Sequence, residues 1–92
     1  MGANYYAKDV DNEKFLLYRK IDGEEHIHGE YNNLRTLSCA FAHICKYSNY
    51  YKGSLFRIRK VKIAIVDVGV TEEEQKRINK MVADKNIQLS EV

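Results

Sequence analysis

Apolar side chains between Asn33 and Tyr51 recur at steps of three and four, so that Leu34, Leu37, Phe41, Ile44 and Cys45 fall along one side of an α-helix. A second side carries Cys39, Ala40, His43, Tyr47 and Tyr50, diluted only by Arg35, Lys46 and a few small polar residues. No Gly or Pro interrupts the run. A helix this weakly amphipathic calls for cover on two sides, by its own sheet and by something else. Asn32-Asn33 offers an N-cap, because a short amide oxygen accepts from the first free backbone N–H groups. Lys52-Gly53-Ser54 ends the helix through a left-handed glycine.

Shorter periods flank this helix. Asn4–Lys8 reads as a short strand and Asp9-Val10-Asp11-Asn12 as a turn. Lys14–Ile21 reads as a strand, with Phe15, Leu17 and Arg19 alternating against Leu16, Tyr18 and Lys20. Asp22-Gly23 is a hairpin signal, since both residues tolerate the positive φ of a type I′ turn. Glu24–Tyr31 returns as a strand, with Glu25, Ile27 and Gly29 on one face and His26, His28 and Glu30 on the other. Leu55–Val68 is rich in β-branched residues. Phe56 and Ile58 point one way there and Val61, Ile63 and Ile65 the other, a change of phase that predicts a β-bulge near Arg59-Lys60.

Thr71-Glu72-Glu73-Glu74 is a capping box placed before a helix that runs to about Asp84. Its three carboxylates suit the positive end of the helix dipole. Gln75, Ile78, Met81 and Val82 form its inner stripe, with Lys76, Arg77, Lys80 and Lys85 outside or near its carboxyl end. Asn86–Val92 is expected either to form a last short strand through Ile87 and Leu89 or to fray. The expected fold is α+β: a single small domain over residues 1–92, with an antiparallel sheet of three to four strands packed by two helices in the order β-β-β-α-β-α.

Composition narrows the function. With 92 residues there is room for one core. A hydrophobic fraction of 45% and a charged fraction of 30% are ordinary for a globular chain. A net charge of +2 gives no strong general pull toward nucleic acid or an acidic membrane. No apolar run reaches the ~20 residues of a membrane span and no secretion signal opens the chain, so the expected location is cytoplasmic. Cys39 and Cys45, set six positions apart, stand ~9 Å apart along a helix and too far for a mutual disulfide; both are expected to be buried thiols of a reducing compartment. Abundant Lys, Asn, Ile and Tyr, with no Pro or Trp, fit an AT-rich genome such as that of a phage or mobile element of low-GC bacteria.

Chemistry-bearing residues are few. His26 and His28 share a strand face, and Cys39 and His43 share a helix face, but the spacing matches no zinc pattern. A thiol–histidine catalyst would need an oxyanion donor and an orienting group that the sequence does not indicate. The chain is therefore expected to be no enzyme and to carry no cofactor or metal. Arg57, Arg59, Lys60 and Lys62 lie on one strand and, with tyrosines nearby, could hold single-stranded nucleic acid; they equally suit an edge strand protected from aggregation. Tyrosine is enriched at protein interfaces. The leading expectation is thus a small accessory or inhibitor-like protein. It would contact a protein partner or a second copy of itself, as a homo-oligomer, through Ala40, His43, Tyr47, Tyr50 and Tyr51.

Overall fold

Asp22 and Gly23 both adopt positive φ, 54° and 85°, which is what a type I′ turn requires. They join β1 (Glu13–Ile21) to β2 (Glu24–Tyr31) in the computed structural model, which describes residues 13–62 and 66–90. There follow α1 (Leu34–Lys46), β3 (Leu55–Lys62), β4 (Val66–Asp67), α2 (Glu72–Val82) and β5 (Gln88–Leu89). The expected strand Asn4–Lys8, the turn after it, and Ile63 and Ile65 lie outside the described residues.

The sheet runs β2-β1-β3-β4, with β5 beside the start of β3. All pairs are antiparallel except β3–β5, where Leu55 and Phe56 face Gln88 and Leu89 in parallel. The fold is α+β, as the sequence implies, and the order of described elements is β-β-α-β-β-α-β. β1 is an inner strand, and register sorts its side chains. Phe15, Leu17 and Arg19 lie opposite Lys60, Ile58 and Phe56 on the helix-bearing face, while Leu16, Tyr18 and Lys20 lie opposite Arg59, Arg57 and Leu55 on the other.

Both helices seal one face. Leu34, Leu37, Phe41 and Ile44 of α1 and Ile78 of α2 join Phe15, Leu17 and Phe56 in one buried cluster. Each such side chain contributes about 1.5–3 kcal/mol relative to leaving it in water. Asn33 caps α1, its Oδ1 accepting from the Thr36 N–H at 2.9 Å. The α2 capping box forms in full: Thr71 Oγ1 accepts from the Glu74 N–H at 3.1 Å, and Glu74 Oε1 accepts from the Thr71 N–H at 3.0 Å.

Several expectations are corrected. α1 stops at Lys46, not near Tyr51: Tyr47 is its C-cap, with φ −110° and ψ 45°. The chain then passes through turns to Gly53, whose φ of 83° is left-handed. Ser48 and Asn49 favour such turns because their side chains compete for backbone bonds. α1 needs no second cover along its length, since Arg35, Thr36, Cys39, Ala42, His43 and Lys46 opposite its buried stripe are short or polar and exposed. Cys39 and Cys45 are free and exposed, not buried.

β3 carries no bulge; its register with β1 is unbroken from Lys62 to Leu55. Its change of phase arises because both faces bury apolar groups, Phe56 on the helix side and Val61 on the other. The bulge lies instead in β2, where Leu17 faces Gly29 and Tyr18 faces Ile27. Gly29 thereby joins His28 on the helix side. α2 ends at Val82, and Gln75 faces water, bonding Asn79 rather than the core.

Candidate functional site

The turn that follows α1 gathers several aromatic side chains. Tyr47 and Tyr50 are 48% and 69% exposed, two of the large apolar side chains most open to water. Tyr51 is half-buried and packs on the core. His43, one turn before the C-cap, lies against Tyr47 with ring centroids 4.8 Å apart. Tyr50 meets Tyr51 edge to face at 4.9 Å, and Tyr51 in turn contacts His28 at 5.5 Å and Phe56 at 6.0 Å. Edge-to-face pairs of this kind are worth about 0.5–1.5 kcal/mol beyond area burial. The cluster is held by the core from below and open above.

Arg19 of β1 reaches into this cluster. Its guanidinium carbon lies 5.0 Å from the Tyr50 ring centre and 4.7 Å from that of Tyr51. Its Nε donates to Ser54 Oγ at 2.8 Å and its Nη2 to the Tyr50 carbonyl at 3.3 Å. Ser54 is buried. Arg19 therefore pins the post-helix turn to the sheet while stacking on its rings, at about 0.5–2 kcal/mol per cation–π contact. Burial, and then the positive charge of Arg19 with a further electrostatic contribution from the neighbouring His43, holds the His28 imidazole below its ordinary pKa. Burial raises that of the Tyr31 phenol, with Tyr51 adding to the shift. Behind the turn a cleft of about 320 Å³ is lined by Ile44, Tyr51, Ser54, Phe56 and Ile87 among others.

Of the residues expected in a protein contact, the structure brings His43, Tyr47, Tyr50 and Tyr51 together, and sets Ala40 aside. Ala40 is half-buried and packs on the core. The sequence reading missed Arg19 and His28. A signal was present in Arg19, a cation on the same strand parity as Phe15 and Leu17, and such a cation must find a partner within the fold.

The basic strand is not one surface. Arg57 and Arg59 lie on the face away from the helices, and Lys60 lies opposite Phe15 on the helix side. Arg57 grips Glu25 with two bonds of 3.0 and 2.7 Å and lies 4.4 Å over the Tyr18 ring. That bond to Arg57 draws the Glu25 carboxyl below its ordinary pKa. Arg59 donates to Tyr18 Oη at 3.0 Å and to Asp67 at 3.3 Å. Lys60, only 9% exposed, binds Glu74 at 3.0 and 3.1 Å and Glu13 at 3.1 Å. Lys62 stands opposite Glu13 and Val66 in register.

Among the described residues, no three His, Cys, Asp or Glu side chains gather as a metal ion would require. No helix among them is long and apolar enough to cross a membrane. The chain matches no family model, no curated protein and no solved structure.

Proposed function

We propose that this chain is a small cytoplasmic binding protein, without catalytic activity of its own, that acts by docking the aromatic turn after α1 onto a protein partner. The observation that carries this reading is the pairing of exposure with ring and cation contacts. Tyr47 and Tyr50 stand open to water, yet each is braced, Tyr47 by His43 and Tyr50 by Tyr51 and Arg19. Braced aromatics lose little entropy on binding, and Tyr and Arg dominate the energetic centres of protein interfaces. Nucleic acid is the weaker reading of Arg57, Arg59 and Lys60, because each already holds a carboxylate of this chain.

Occlusion is the simplest mechanism: a contact of ~800 Å² on each partner would cover about an eighth of this molecule's 6829 Å² of surface. The test is Tyr47→Ala and Tyr50→Ala, made singly and together. Each is expected to weaken association by about 1–3 kcal/mol, read as loss of partner in affinity capture or as a fall in sedimentation mass if the partner is a second copy. An unchanged mass and unchanged capture in the double variant would overturn the reading.

A further inference from the structure

Arg19 differs from the other well-engaged cations of the molecule. Arg57, Arg59 and Lys60 each bind at least one carboxylate of the chain, whereas Arg19 has none within ion-pair distance among the described residues. Its two bonds go to a hydroxyl and a carbonyl, so most of the five N–H donors of a guanidinium remain without a protein partner there. On its own hairpin Glu24, which shares the Arg19 face in register, bonds His26, the residue opposite Arg19, and Glu25 is held by Arg57. Between Tyr31 and Val66 the sequence holds seven cations and no Asp or Glu. Two of those cations, Lys46 and Lys52, flank the aromatic turn, with Lys46 lying 5.6 Å over the Tyr47 ring.

We propose that Arg19 is the anchor for a carboxylate of the partner, so that the aromatic turn takes an acidic peptide segment: an Asp or Glu on the guanidinium, with neighbouring apolar side chains against Tyr47 and Tyr50. This rests on the docking reading above and adds the chemistry of what docks. Three features favour it. A planar guanidinium matches a carboxylate bidentately, and one stacked on rings is weakly hydrated and ready to pair. The bond to buried Ser54 fixes its position before any partner arrives, which lowers the entropy lost on binding. The third concerns nucleic acid, the competing polyanion, which needs free ring faces for bases to stack on. Here Arg19 already occupies a face of Tyr50 and of Tyr51, while His43 and Lys46 lie against Tyr47. Tyr47 and Tyr50 keep exposed surface for an apolar side chain, while the one guanidinium held against the rings matches a single carboxylate better than a repeating phosphate backbone.

The probe is a random twelve-residue peptide library panned against the full folded chain, with Arg19→Gln and Tyr50→Ala proteins panned in parallel and a dT12 oligonucleotide titrated separately. The expected result is enrichment of peptides that carry Asp or Glu beside apolar residues. Changing that acid to Asn or Gln in the peptide should weaken binding to the native protein about tenfold, and should cost little further in Arg19→Gln. Because Arg19 also bonds Ser54 and the Tyr50 carbonyl, Arg19→Gln must still bind the neutral peptides as the native protein does; loss of those peptides too would mean that Arg19 acts by holding the turn and would overturn the proposal. Tyr50→Ala should weaken acidic and neutral peptides alike. Enriched peptides that lack acids, or whose binding ignores Arg19, overturn the proposal while leaving the docking reading intact as long as Tyr50→Ala still weakens them. Absence of any enrichment, or salt-sensitive binding of dT12 alone, overturns both.

Discussion

Replacing Lys60 with Met separates a structural cation from one kept for a ligand. The Lys60 ammonium lies 3.0 and 3.1 Å from the two Glu74 oxygens, 3.1 Å from Glu13 and 5.9 Å from the centre of the Phe15 ring. Methionine keeps the stem and its packing and removes only the charge. Stripping one member from a fully buried ion pair costs about 3–5 kcal/mol, because the other charge is left unpaired. The carboxylates here are not fully buried: the Glu13 and Glu74 side chains are 42% and 23% exposed. Glu74 also keeps its bond from the Thr71 N–H. The loss expected for Lys60→Met is therefore about 1–2 kcal/mol, a fall in Tm of roughly 4–16 °C for a domain of this size.

Urea unfolding of Lys60→Met, Glu74→Gln and the double variant measures the pair directly. A coupling of about 1 kcal/mol is expected. Coupling below about 0.5 kcal/mol would refute the reasoning; so would a Lys60→Met protein that unfolds like the parent but loses affinity for an oligonucleotide. The pair also carries a pH signature. Burial pushes the Glu74 carboxyl up, but its bonds to Thr71 and Lys60 outweigh burial and hold its pKa below the usual carboxylate value. The folded state thus binds fewer protons than the unfolded chain below pH 4.5, and the stabilisation present above that pH drains away as pH falls. Lys60→Met should flatten that decline.

Three further outcomes are expected. Phe41→Ala, at a fully buried site, should cost about 3–5 kcal/mol in the same unfolding assay, and a loss under about 1 kcal/mol would show that α1 is not seated as described. Because the folded His28 imidazole resists protonation, stability should decline as pH falls below 6.5, where the unfolded chain takes up the proton first; His28→Gln should remove this slope, and an unchanged slope would assign it elsewhere. Gly53→Ala places a Cβ at φ 83° and should destabilise the turn by about 1 kcal/mol, seen as faster amide exchange at Tyr50 and Tyr51, with equal exchange rates counting against a fixed turn.

Local chemistry was legible in the sequence and partner-dependent geometry was not. The Asp22-Gly23 turn, the Asn33 cap and the Thr71–Glu74 box are each specified by residues within four positions of one another, and each forms. The end of α1 was misread because Tyr47, Tyr50 and Tyr51 keep helical spacing while Ser48 and Asn49 turn the chain. The β2 bulge depends on pairing with β1 and leaves no periodic trace in β2 alone. The phase change of β3 was visible, but two buried faces produce it as readily as a bulge does, and only the pairing partner decides. Arg19 enters the aromatic cluster from a strand 31 positions before Tyr50, so no spacing rule could join them.

The placement of carboxylates explains why Arg19, at the aromatic turn, has no ion pair among the described residues. The stretch from Tyr31 to Val66 holds no Asp or Glu, so every ion pair of its cations must borrow an acid from a flanking segment. β2, β1, β4 and α2 lend Glu25, Glu13, Asp67 and Glu74 respectively, and all four go to β3. At the carboxyl end of α1 the neighbouring strand contributes Arg19 in place of an acid. The partial negative charge of the helix end offsets some of this, but His43 and Lys46 already sit in its last turn. One region of the molecule is thus balanced internally and contributes stability, while in the other Arg19 has no ion pair among the described residues, and this is the charge that the proposed acidic segment would pair.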